Sequence, residues 1–168
     1  FYSTEEPPFF ATEGMGSFQH AKSVKDEQNI ELVIILEMIG YFSEKENSQD
    51  YPISFLKYFY PTKGNFIAIV SNFKNSVKTR KVKSQFGFLL YKNKIIRAES
   101  INAPTIIPGI DFSDHRNYWK FDIPALMITD TAFYRNKNYH TKNDTYEKLD
   151  YKKMKEVVDA TIATVLSL

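Results

Sequence analysis

An α/β fold is predicted for this chain by two observations. Four apolar, strand-length runs lie along it, at residues 31–38, 65–70, 95–101 and 125–129. Between and after them come longer segments whose apolar residues recur at helical spacing. The size is compatible, since 168 residues suffice for about one domain with its own core. A content of 43% hydrophobic, 15% aromatic and 25% charged residues is globular and excludes a disordered, collagenous or coiled-coil chain.

The opening Phe1-Tyr2-Ser3-Thr4 is aromatic and β-prone and reads as the end of a strand, stopped by Pro7-Pro8. With no initiator Met, signal peptide or polar lead-in, the chain is expected to be cut at its start, so that 168 residues count part of a domain. A helix is predicted over 15–26, beginning near Gly16-Ser17. Within 31–38, Leu32-Val33-Ile34-Ile35-Leu36 has the unbroken aliphatic character of a strand buried on both faces, and the run ends at Gly40. Residues 43–60, polar first and aromatic later, read as a long excursion of the kind that is often functional. A second buried strand is predicted at 65–70. An amphipathic helix then follows over 72–91, carried by Phe73, Val77, Phe86 and Leu90. A third strand at 95–101, a Pro-rich stretch at 103–109 and a fourth strand at 125–129 come next. Asp150 can cap a last helix in which Met154, Val157, Val158, Ile162, Val165 and Leu166 repeat at helical spacing.

Charge narrows the function classes. Against 20 acidic side chains stand 22 basic ones, and a net +2 is too small to imply a nucleic-acid or membrane partner. No apolar run approaches the roughly 20 residues of a membrane span. Lys74, Lys78, Arg80, Lys81 and Lys83 lack the interleaved aromatics of a nucleic-acid patch and read as a solvated helix face. Without cysteine there is neither a disulfide nor a thiolate site, so a metal would rest on His and carboxylates.

Sites in α/β sheets gather at strand ends, and four places qualify. Glu5-Glu6 are adjacent carboxylates that leave an extended backbone in different directions, so one can ligate a metal while the other serves as a base; a solvated turn accounts for them as well. Glu37 follows five aliphatic residues, where an ionised carboxylate is costly unless paired or metal-bound; otherwise it has emerged at the strand end or meets a lysine. In Ser113-Asp114-His115, an Asp beside a His can supply or orient a ligand, and equally Ser113 or Asp114 can cap a short helix through Lys120. The polar loop at 129–145 is a surface connection by composition and a candidate site by its place after a buried strand. His20, on the first helix, reads as surface or packing.

In order, Glu5-Glu6-Pro7-Pro8-Phe9-Phe10 with Met15-Gly16-Ser17, Leu36-Glu37-Met38-Ile39-Gly40-Tyr41, Ser113-Asp114-His115, and Tyr139-His140-Thr141 with Asp144-Thr145 resemble the zinc-dependent aminopeptidases of the M28 family. The resemblance implies an α/β zinc-peptidase fold, with a mixed, mostly parallel sheet between helices and a pair of zinc ions at the strand ends. It implies hydrolysis of the N-terminal peptide bond of a substrate with a free amino terminus, through a zinc-activated water. Carried over by motif, Glu5 matches the general base, Glu6 and His140 ligands of one metal, and Glu37 a ligand of the other. Asp114 and His115 take supporting roles, while Tyr134, Arg135 and Tyr139 are placed to line the substrate pocket.

The family's upstream His-x-Asp motif and bridging Asp have no counterpart here, because the chain begins four residues before the Glu5-Glu6 pair. Two zinc ions are therefore expected in a longer parent, and partial or no occupancy with little hydrolysis in this chain. A free strand edge would invite pairing with another copy. The alternatives are a non-catalytic binding module of the same fold and a glutaminyl cyclase-like acyltransferase. The resemblance favours an extracytoplasmic or secreted location.

Overall fold

The computed structural model describes residues 2–27, 29–93 and 96–168, so Phe1 and Ile95, both assigned to strands above, lie outside the described residues. Four strands form one sheet: β1 (Val33–Glu37), β2 (Phe66–Ser71), β3 (Arg97–Asn102) and β4 (Ala125–Thr129), in the order β1-β4-β2-β3. β1 runs parallel to β4 and β2 parallel to β3, while β2 and β4 are antiparallel, giving the mixed, mostly parallel sheet. β2 and β4 occupy the middle and are buried at every position, which is why both read as continuous apolar runs.

The expectation that the first apolar run is buried on both faces is corrected. Among the described strands β1 pairs with β4 alone and stands at an edge, where Leu36 is 43% exposed. Residues 2–4 are likewise not a strand: Thr4 takes a left-handed φ of 59°, and the Ser3 carbonyl accepts the Gly16 N–H at 2.9 Å. The first turn of a helix has N–H groups without partners, and the opening segment satisfies one of them instead of joining the sheet.

Helices cover both faces. α2 (Ser76–Asn93) and α4 (Tyr151–Val165) lie on one, where Val82, Phe86, Leu90, Val157 and Ala160 meet Ile67, Ile69, Leu126 and Ile128. The alternate strand residues Phe66, Ala68, Val70 and Met127 point to the opposite face. There α1 (Gly16–Ser23) and α3 (His115–Trp119) pack through Ala21 and Tyr118, with Ile123 just after α3, on Ile35 and Ala125.

Two helix stripes differ from the sequence pattern. Phe73 is 64% and Val77 69% exposed, and the inward positions of α2 before Phe86 are Thr79 and Val82. In α4, Val157, Ala160 and Thr164 are buried, whereas Ile162, Val165 and Leu166 face out. Small residues let α4 approach the sheet closely, a choice that counting large apolar side chains overlooks. The predicted cap is present, with Asp150 Oδ1 accepting the Lys153 N–H at 3.0 Å. The basic residues of α2 and of the turn before it behave as a solvated face, Lys74 pairing with Asp122 and Lys83 with Glu99.

Candidate active site

On the face opposite α2 and α4, the sheet is only partly covered by helix, and a cavity of about 340 Å³ opens there. Its floor is the outward-pointing set of the two central strands, Phe66, Ala68, Val70 and Met127. The excursion 43–60 contributes Gln49, Tyr51 and Leu56 to the wall, joined by Tyr60 at its end. It is anchored at its base by Gln49, whose N–H donates to Thr62 O at 3.1 Å and whose amide contacts Thr131 at 2.9 Å.

Glu5 is held against the start of α1. Its Oε1 accepts the Ser17 N–H at 3.1 Å and its Oε2 the Ser17 hydroxyl at 2.7 Å. Gly16 makes that approach possible, because a Cβ there would stand 2.9 Å from Ser3 O and 3.2 Å from Glu5 Oε1. Burial works to raise the Glu5 carboxyl. Hydrogen bonds from Asp114, from the Ser17 hydroxyl and from the Ser17 and Gly16 amides outweigh it and hold Glu5 below the usual carboxylate range. Asp114 responds in the opposite sense: burial, then the hydrogen bond and charge of Glu5, push it up to about 7. The two carboxyls thus shift in opposite directions, Glu5 down and Asp114 up.

Glu6 Oε1 stands 3.7 Å from His140 Nε2. His140 adopts φ 57° and stacks on Tyr139 with ring centroids 3.8 Å apart. Glu37 is the last residue of β1 and is half-buried; its partner is the Ser113 hydroxyl, which donates to Oε2 at 2.8 Å, and no lysine takes that place. Burial pushes the Glu37 carboxyl up, and the Glu6 charge adds to this while Ser113 and His140 oppose it. Glu5, Glu6, Glu37, Asp114 and His140 all line the one cavity.

The Ser113-Asp114-His115 segment resolves its two readings. Asp114 occupies the N-cap position of α3 but makes no side-chain cap bond. Ser113 turns to Glu37 and Asp114 to Glu5. His115 is fully buried, its Nε2 donates to Ile110 O at 2.7 Å, and its ring meets Trp119 edge-on. Burial pushes His115 down to about 4, so it is neutral. Tyr134 and Tyr139 line the cavity as expected, but Arg135 does not. Its guanidinium lies between Phe42 and Phe66, with Nε donating to Gln49 at 2.9 Å and Nη1 to Tyr41 O at 3.1 Å.

The donor set of Glu6, His140 and Glu37 is of the oxygen and imidazole kind that binds first-row divalent metals. Two ligands of one tetrahedral zinc stand about 3.3 Å apart, close to the Glu6 to His140 spacing. Among the described residues, no three His, Asp or Glu groups gather tightly enough to hold an ion. The residues therefore fit a metal in kind and as a pair.

Comparison with known proteins bears on this constellation directly. The family model for peptidase family M28 matches residues 1–165. The chain belongs to peptidase family M28. The uncharacterized protein YfbL of Escherichia coli (strain K12) is 49% identical over 161 residues, which are 96% of this chain and 48% of that protein, so the chain spans about half the length of this relative. Among solved structures, the LapA aminopeptidase of Legionella pneumophila superposes with a TM-score of 0.62 at 16% identity, over 90% of this chain and 34% of that one. The zinc aminopeptidase BSAP of Bacillus subtilis gives 0.58 at 14% identity, over 90% and 32%. The fold of these aminopeptidases is thereby shared over 90% of this chain.

One organising residue of this M28 chain stands in the polar loop at 129–145 without a role assigned from the sequence. Asp130, buried directly after β4, accepts the Gly40 N–H at 3.1 Å and the Tyr41 N–H at 2.7 Å through Oδ2, and the Ala132 N–H at 3.0 Å through Oδ1. Its own N–H donates to Met38 O at 2.6 Å. It thereby joins the segment leaving Glu37 to the segment that leads to Tyr139 and His140. Burial raises its carboxyl to about 6 against the pull of these amides and of Arg135. The signal was available, because Asp130 ends an apolar run just as Glu37 does.

Proposed function

We propose that this chain carries the base and part of the metal-ligand set of a zinc aminopeptidase that hydrolyses the N-terminal peptide bond of peptides with a free amino terminus. The observation that carries the reading is convergence. Glu5 and Glu6, Glu37 and His140 come from three distant segments and meet on one cavity wall, with Glu6 and His140 3.7 Å apart. Glu6 with His140 would hold one zinc and Glu37 would contribute to a second. When bound, zinc supplies a Lewis acid for the scissile carbonyl and an acidified water.

The chain's own residues prepare the proton transfer. Glu5, held below the usual carboxylate range, is the base that takes a proton and returns it to the leaving amine. Ser17 engages both Glu5 oxygens and fixes the carboxylate plane. Asp114 hydrogen-bonds Glu5 and shifts in the opposite direction to it, upward. Ser113 sets the orientation of Glu37, and Tyr139 that of the His140 ring.

Hydrolysis of leucine 4-nitroanilide with added zinc tests the reading, on this chain and on one extended to the length of the relative. Turnover in either, falling by about 10²- to 10⁴-fold in Glu5→Gln, is the expected result. Turnover that persists in Glu5→Gln, or none in both chains, overturns it.

A further inference from the structure

The Ser17 hydroxyl that bonds Glu5 has a partner of its own. Asn117, on α3 and fully buried, donates from Nδ2 to Ser17 Oγ at 2.8 Å, and Ser17 Oγ donates in turn to Glu5 Oε2 at 2.7 Å. Ser17 is itself fully buried in the first turn of α1. A line of three side chains thus crosses from α3 to α1 and ends on a carboxylate at the cavity. The second Nδ2 hydrogen has the Met15 sulfur at 3.4 Å, so both hydrogens of the amide are spent on the start of α1.

The two oxygens of Glu5 are held by partners of different stiffness. The Ser17 N–H on Oε1 is fixed by the helix backbone, whereas the hydroxyl on Oε2 can rotate and turn its proton elsewhere. A hydroxyl carries one proton and two lone pairs, and an amide nitrogen can only donate. Nδ2 of Asn117 fills a lone pair of Ser17 and leaves the proton for Glu5. Turned over, the amide would present Oδ1 to Ser17 and compete with Glu5 for that proton. The far end of the side chain shows that the orientation is not free: among the described residues, Asn117 Oδ1 is buried without a hydrogen-bond partner. An unpaired acceptor in the interior is destabilising, and Leu fills nearly the same shape without one. Packing alone therefore does not explain an amide here, and what its nitrogen does to Ser17 does.

We propose that Asn117 is a positioning residue for the base: acting through Ser17, it keeps the hydroxyl proton on Glu5 Oε2 and so holds the carboxylate in one orientation. The inference deepens the peptidase reading of Glu5, Glu6, Glu37 and His140 and rests on it. Asn117 is not among the residues that line the cavity, so its influence on the reaction passes through Ser17.

Hydrolysis of leucine 4-nitroanilide with added zinc is compared in Asn117→Leu, Ser17→Ala and the double variant, on whichever of this chain and the extended chain turns over. Asn117→Leu should lower kcat roughly tenfold with KM unchanged, the effect of losing an outer partner that orients a reacting group. On the Ser17→Ala background the same substitution should lower kcat no further, because the residue it acts through is gone. A packing role would lower kcat on both backgrounds. Asn117→Ala gives the same readings should Leu prevent folding. An unchanged kcat in both Asn117 variants, a change in KM alone, or a loss repeated in full on Ser17→Ala overturns the proposal. Absence of turnover in both unsubstituted chains ends the peptidase reading and this role with it, whereas turnover that needs Glu5 and ignores Asn117 ends the positioning role alone.

Discussion

The two faces of the central strands differ in what covers them. Ile67 and Ile69 of β2, with Leu126 and Ile128 of β4, are sealed under α2 and α4. One residue along, Ala68, Val70 and Met127 floor a cavity. The same apolar run therefore builds a dry core on one side and a binding surface on the other, since side chains alternate along a strand. Glu5, Glu6, Glu37 and Asp114 gather at the rim of the open face, where strand ends and loops can place them beside solvent.

The largest effects should separate the faces most cleanly. On the open face, Glu5→Gln lowers hydrolysis by about 10²- to 10⁴-fold. On the closed face, Phe86→Ala should cost about 3–5 kcal/mol in a denaturant titration. Met127→Ala is expected to cost less, because it enlarges a space already open. Equal losses at the two positions would break the distinction.

Acid stability sharpens it further. Asp130 has a folded pKa of about 6, raised by burial above its unfolded value, so the native state holds the extra proton and Asp130 makes stability fall as pH rises from about 4 to 6. His115, pushed down to about 4, has the opposite sign: the unfolded chain binds the proton, so stability rises with pH from about 4 to 6.5. The two oppose each other in the native chain. His115→Gln should leave the falling slope and Asp130→Asn the rising one, each up to about 1.4 kcal/mol per pH unit, read by denaturant midpoints across this range. Parallel slopes in the two variants would remove both assignments.

The smallest effect concerns the edge. If β1 pairs with a second copy, Leu36→Lys should shift a sedimentation profile toward monomer, as a charge on an edge strand blocks pairing. An unchanged profile would leave the edge without that role.

Much of this was legible in the sequence because burial leaves a compositional mark. The runs that became β2 and β4 are apolar at successive positions, and the carboxylate of Glu37 after such a run marked a strand end of chemical interest. Edge placement left no such mark, since Leu32-Val33-Ile34-Ile35-Leu36 is as aliphatic as a central strand. The face of α2 was misjudged because Phe73 and Val77 are large but exposed, while Thr79 packs inward with its hydroxyl satisfied by Asn75 O at 3.0 Å. The partners of Ser113, Asp114, Arg135 and Asp130 depend on residues 30 or more positions away, and local spacing carries no record of them.

The central claim, that Glu6 and His140 act on one ion, is tested most directly by zinc titration of the native chain, Glu6→Gln, His140→Ala and the double variant. If they share the ion, each single change weakens zinc binding by at least about tenfold and the double variant loses little more than either single one. Losses that add in full, or an affinity unmoved by either substitution, would contradict it.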